Sequence, residues 1–194
     1  SAQTVQAMLT RNLNCPPATG AGRWFDAAAG ALGISVRQEF EAQAAMALEK
    51  LAAAWLELHG DTEIVTLYGI EDDGVLDLRP LFRQLFAMAD SGDAREIARG
   101  AALFHTTLAS ALAEWAAGAA RQRGVRAVAL GGGCFFNRVM TSRLCADLDR
   151  RGLQVFLPQT VSCGDAGLAL GQAWAAAHQL AAVTSPETEA IVCV

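Results

Sequence analysis

Three glycines between an apolar strand and a helix make Leu130-Gly131-Gly132-Gly133-Cys134-Phe135-Phe136-Asn137-Arg138 the stretch best suited to hold a charged ligand. Arg126 to Leu130 reads as a buried strand, and Val139, Met140, Leu144 and Leu148 follow at helical spacing. Glycines at such a turn permit positive φ and let a ligand approach the backbone with no Cβ in the way. Unpaired N–H groups of the first helical turn, together with the positive end of the dipole, favour an anion such as phosphate. The motif is neither a P-loop, since no Gly-Lys-Ser/Thr follows, nor a GxGxxG fingerprint; a plain tight connection is the competing reading. Further on, between Pro158 and Gln172, Asp165 stands among glycines at the mouth of an apolar helix. A carboxylate there either caps the helix or offers a hard oxygen ligand to a divalent metal. Near the start, Asn14 to Ala27 reads as a loop delivering a helix whose first turns carry Arg23 and Asp26.

These segments need a frame. Apolar spacing predicts helices over Thr4 to Leu9, Arg23 to Leu32 and Gln38 to His59, with a loop over Asn14 to Ala21. Ile64 to Tyr68 reads as a strand, and Val75 to Leu78 as a short second one after the Asp72-Asp73-Gly74 turn. Pro80 starts a helix to Ala89, and Asp93 begins a long one to Gln122. Strand 126–130, helix 135–150, strand Gln154 to Leu157 and helix 166–182 then form a β-α-β-α series, with Ile191-Val192 as a last strand. Such alternation implies an α/β fold with a parallel sheet, and ligands in that class bind outside the carboxyl ends of the strands. Both glycine motifs fall at that edge.

The 194 residues are ample for one core. Apolar residues make up 53% of the chain, but many are alanines, which favour helix and close packing more than deep burial. A net charge of −5 opposes a broad nucleic-acid footprint, which needs excess Lys and Arg to displace counterions. No apolar run is long enough to span a bilayer, and the start has no signal-peptide pattern, so a soluble cytoplasmic protein is expected. Cys15, Cys134, Cys145, Cys163 and Cys193 form no CxxC pair and read as reduced thiols. His105, on the long helix, reads as a histidine meeting a packing or hydrogen-bond need, with catalysis as the alternative. The four tryptophans read as core anchors.

Five segments in order resemble the HypF-type carbamoyltransferases that mature nickel–iron hydrogenases. The family's N-x-P-x-T-S-S-x-G-R-L-F-D-A is met by Asn14, Pro16, Thr19, Gly22, Arg23, Phe25, Asp26 and Ala27. Its Y-E-x-Q-A-A-x-x-L-E is similar to Phe40 through Glu49, its R-F-H-x-x-L-A to Leu103 through Ala109, and its S-G-G-V-F-Q-N-R to Gly131 through Arg138. Its N-D-G-G-x-x-L-G-Q-A resembles Gly164 through Ala173.

The resemblance implies that residues 1–194 are a single C-terminal lobe of the carbamoyltransferase (TsaD-like) domain and a fragment of a larger protein. The implied fold is the helix-rich half of an actin-like ATPase domain, with a mixed or parallel sheet flanked by helices. The implied activity is transfer of a carbamoyl group, made from ATP and carbamoyl phosphate, from carbamoyl-adenylate to the C-terminal cysteine of HypE; the isolated lobe is expected to be inactive. Gly132 and Gly133 would then pass close to the phosphate, Asn137 would contact the nucleotide, Asp26 would accept from ribose hydroxyls, and Asp165 would be a ligand of a divalent metal. The family's His-x-x-x-His pair is missing, since His59, His105 and His178 are not four apart, so the metal site is expected to be incomplete. Gly20, Gly131, Cys134, Phe136 and the Gly164-Asp165-Ala166 run depart from the pattern; Gly20 and Gly131 stand for serines and Phe136 for a glutamine, which removes polar contacts. A non-catalytic lobe that docks HypE or forms a homodimer is the alternative, and another carbamoyltransferase or a sugar kinase is a third reading.

Overall fold

The computed structural model describes residues 2–60 and 67–184. Its centre is α5 (Ala94–Arg123), a 30-residue helix with α2 (Gly22–Ala31), α3 (Gln43–His59), α4 (Arg79–Asp90) and α6 (Arg138–Arg150) packed around it. Every residue from Gly100 to Ala109 is buried, so this middle stretch has no solvent face. Small residues make that possible: a Cβ on Gly100 would lie 2.7 Å from Leu32 Cδ2, so the glycine sets how closely α5 and the end of α2 approach. Phe104, Leu108, Leu48, Leu81 and Leu85 fill the core, and each such side chain contributes about 1.5–3 kcal/mol of burial. Asp93 caps α5 by accepting from the Arg95 N–H at 2.8 Å, and Gly124 ends it at φ +66°.

A two-stranded antiparallel ribbon, β1 (Gly69–Ile70) with β2 (Leu76–Asp77), closes through the expected turn, in which Asp73 accepts from the Val75 N–H. A second pair, β3 (Ala127–Ala129) and β4 (Gln154–Phe156), is parallel, with Val128 opposite Val155 and α6 as the crossover. One face of this pair packs on the helices through Val128 and Val155, while Phe156 on the other is 51% exposed. The helix at the start runs Ala2–Thr10 as α1, and the last helix, α7, runs Leu168–Thr184.

Several boundaries differ from those read in the sequence. The second long helix begins at Gln43 because Ala42 takes φ +61° and the Gln43 side chain accepts from the Glu39 N–H. That leaves Gln38 outside the helix as a tether. The helix expected from residue 135 is a 3-10 turn (Gly133–Phe136) followed by α6, and a second 3-10 turn (Asp165–Gly167) precedes α7. Of the strand expected at Ile64 to Tyr68, positions 64–66 lie outside the described residues, and the pairing falls at Gly69 and Ile70. The expected strand at Ile191-Val192 also lies outside them. Among the described residues, no helix is long and apolar enough to cross a membrane.

Candidate functional site

The three separated segments meet at the carboxyl ends of β3 and β4. Leu130 leaves β3 with its N–H donated to the Phe156 carbonyl, and two residues later the Gly132 N–H donates to the Cys163 carbonyl at 2.6 Å. Gly132 holds φ +111° and ψ 156°, a region that is essentially glycine's own. Gly164 lies under the turn, where a Cβ would come within 2.8 Å of Phe136 Cε2 and 3.7 Å of Gly133 Cα. On the other side the Cys134 thiol is 3.9 Å from the Cβ position of Gly22, at the start of α2. Burial, and then the nearby Asp26 carboxylate, push the Cys134 thiol above the usual cysteine range. Cys134 is therefore a poor nucleophile here.

The first-turn amides of α6, expected to be free for an anion, are occupied from within the chain. Glu49 reaches across from α3, and its Oε1 accepts from the Arg138 N–H at 2.6 Å and the Val139 N–H at 3.4 Å. Asn137 is the N-cap and accepts from the Met140 N–H at 2.9 Å. The helix dipole is thus met by a resident carboxylate. What remains open lies one turn earlier: among the described residues the N–H groups of Gly131, Gly133 and Cys134 have no acceptor. Gly131 and Gly133 are exposed, and a Cβ on any of Gly131 to Gly133 would meet nothing within 4 Å.

Asp26 is partly exposed and oriented by two neighbours, Gln38 Nε2 at 3.0 Å and Arg23 Nη1 at 3.4 Å. Gln38 in turn accepts from the Ala44 N–H, tying the middle of α2 to the start of α3. Asn137 is buried, and its Nδ2 lies 2.9 Å from Nε2 of His105, whose Nδ1 is 2.8 Å from the Ala101 carbonyl. Burial lowers the His105 pKa to about 4, with Arg143 adding to the effect and the Ala101 bond opposing it, so the ring is neutral at physiological pH. Asp165 is exposed at the start of its 3-10 turn and makes no capping bond, which removes the capping reading. Among the described residues no three His, Cys, Asp or Glu side chains gather in a metal-binding group.

Sequence reasoning missed Glu49 and Gln38. Glu49 closes the segment similar to Y-E-x-Q-A-A-x-x-L-E, but its partner is 89 positions away, and no local pattern announces that distance.

Fold and site together define a helix-rich α/β lobe whose strand ends present an open row of loop amides. Residues 1–172 match the family described as carbamoyltransferase, Kae1-like domain, second subdomain, and the chain belongs to it. The chain is 61% identical to the carbamoyltransferase HypF homolog of Cupriavidus necator over 97% of its own length and 48% of the relative's. It is 43% identical to carbamoyltransferase HypF of Rhizobium leguminosarum bv. viciae over 86% of this chain and 20% of that one. Full-length HypF, solved in a phosphate- and nucleotide-bound form, superposes with a TM-score of 0.80 at 30% identity, covering 92% of this chain and 23% of its own. HypF of T. kodakarensis gives a TM-score of 0.76 at 28% identity over 93% of this chain and 22% of its own. The chain therefore spans about half, or much less, of the proteins it resembles.

Proposed function

We propose that this chain is the nucleotide-facing lobe of a carbamoyltransferase that passes a carbamoyl group from carbamoyl-adenylate to the C-terminal cysteine of a HypE-like acceptor. The observation that carries the reading is the row of unbonded amides at Gly131, Gly133 and Cys134 on an exposed glycine turn, with Asp26 alongside. In the transfer, the acceptor's thiolate attacks the carbamoyl carbon, the bond from that carbon to the phosphate oxygen breaks, and AMP leaves with the charge. Loop amides held in place before the phosphate arrives would stabilise that charge without reorganising. Asp26, held by Gln38 and Arg23, has its carboxylate oriented to accept from ribose hydroxyls.

Gly132 and Asn137 serve this reading in a different way from Gly133. The Gly132 N–H is spent on Cys163 and the Asn137 side chain on His105 and Met140, so both act by shaping the turn. Asp165 offers a single oxygen ligand toward the same edge, and no step of the transfer runs through it.

Calorimetric titration of the intact protein with AMP tests the assignment. Asp26→Ala is expected to weaken binding about tenfold, the loss of charge-assisted hydrogen bonds worth roughly 1.5–3 kcal/mol less the re-solvation gained. A bulky Gly133→Val is expected to abolish binding. Unchanged affinity in both variants sinks the reading.

One observation favours a second reading, an interaction or dimerisation lobe. The side chains of α7 described, residues 168–181, are all exposed, including Leu168 at 59% and Trp174 at 66%. A helix apolar on all faces is normally buried. Light scattering on the eluted protein separates the readings: a clean dimer indifferent to ATP supports the second.

A further inference from the structure

Beneath the turn lies a histidine that the transfer does not touch. His105 is fully buried at mid-α5, edge-on to Phe25 and Phe104 with ring centroids 5.6 and 5.5 Å away. Its protonation follows from its neighbours. The Met140 N–H can only donate, so the Asn137 oxygen must face it and the Asn137 amide nitrogen must face the ring. Nε2 therefore accepts from Asn137, and Nδ1 carries the hydrogen and donates to the Ala101 carbonyl. Each polar atom of the ring has one partner, and only one tautomer satisfies both. Packing alone does not require this, since an apolar side chain of similar size would fill the space without burying two nitrogens.

On the far side of the same junction, Glu49 fills the next two amides of α6. The α6 start is thus held from α5 by His105 through Asn137, and from α3 by Glu49. We propose that His105 is a positioning residue for the glycine turn: acting through Asn137, and with Glu49, it sets where the 3-10 turn ends and α6 begins, and so directs an incoming phosphate group to the amides of Gly131, Gly133 and Cys134. The phosphate part of this inference rests on the function proposed above; the ordering of the turn does not.

Two readouts on the intact protein test it: hydrogen exchange at the bonded amides of the turn, those of Gly132, Phe135 and Asn137, measured without ligand, and AMP affinity. His105→Leu keeps volume but has neither donor nor acceptor, and is expected to speed exchange in the turn at least tenfold while the interiors of α5 and α6 keep their protection. His105→Gln, with one donor and one acceptor, is expected to restore slow exchange and most of the affinity that the leucine variant loses. Glu49→Ala, at a partly exposed site that does not threaten the core, is expected to loosen Arg138, Val139 and the turn in the same way. Exchange in the turn unchanged in His105→Leu or in Glu49→Ala overturns the proposal, as does loosening spread evenly over α5 and α6. A wild-type protein that ignores AMP counts against the phosphate reading, and the exchange data then decide the positioning role separately.

Discussion

Acidification from pH 7.5 to 4.5 is expected to destabilise the protein through His105. The ordinary histidine pKa of 6.5 falls to about 4 at this position, because burial disfavours the imidazolium and Arg143 repels it. Protonating the ring would also turn Nε2 into a donor facing the Asn137 amide, itself a donor. Between these two pKa values the unfolded chain binds a proton that the folded chain refuses. The contribution is therefore fully present above about pH 6.5 and is lost as pH falls toward 4. At about 1.4 kcal/mol per pH unit for one proton, the loss is about 1 to 2 kcal/mol by pH 5.5, about 2 to 3 by pH 4.5, and about 3 to 4 in full. Carboxylates whose pKa the structure lowers, such as Asp77 bonded to Arg79 and Glu96 bonded to Arg99, lose their contributions in a window that opens at the ordinary carboxylate values and runs downward from there. Urea denaturation at a series of pH values separates the two. The wild-type unfolding free energy should fall with the slope of one extra proton between pH 6.5 and 4.5, and His105→Gln, which cannot ionise, should lack that slope. Parallel curves for the two proteins across the window would refute the reasoning, because they would mean that His105 ionises as easily folded as unfolded.

Asn137→Asp replaces the amide donor facing Nε2 with a carboxylate, and only the protonated ring can donate to it while Nδ1 still donates to the Ala101 carbonyl. The His105 pKa should rise above the usual histidine range, and an NMR titration of the imidazole nitrogens that stays near pH 4 would contradict the hydrogen-bond assignment. Gly132→Ala forces a side chain into φ +111° and should cost about 1–3 kcal/mol, read as a lower thermal midpoint with secondary structure retained. Gly100→Ala drives a Cβ to 2.7 Å from Leu32 Cδ2, and the overpacking should cost about 1–3 kcal/mol by urea denaturation; pairing it with Leu32→Ala should recover part of the loss.

Apolar spacing and turn chemistry determined much of this molecule on their own. Asp93 and Gly124 bracket α5 by an N-cap and a left-handed stop, Asp73 and Gly74 close the ribbon, and three glycines after an apolar run place a turn at a strand's carboxyl end. These are local effects, since a cap or a positive φ involves residues within a turn of one another. The resemblance to HypF was legible for the same reason, because its motifs are short runs.

Only the tertiary structure decided which polar groups remain free for a ligand. An asparagine before a helix is a recognisable cap, but its second bond, to His105, spans 32 positions, and Glu49 reaches 89 positions to the amides that the strand–glycine–helix pattern seemed to leave for phosphate. Gln38 crosses from what looked like the first turn of a helix to orient Asp26. Hydrogen-bond donors are satisfied by whatever acceptor packing brings within reach, and that is a property of the assembled helices, which no window of the chain contains.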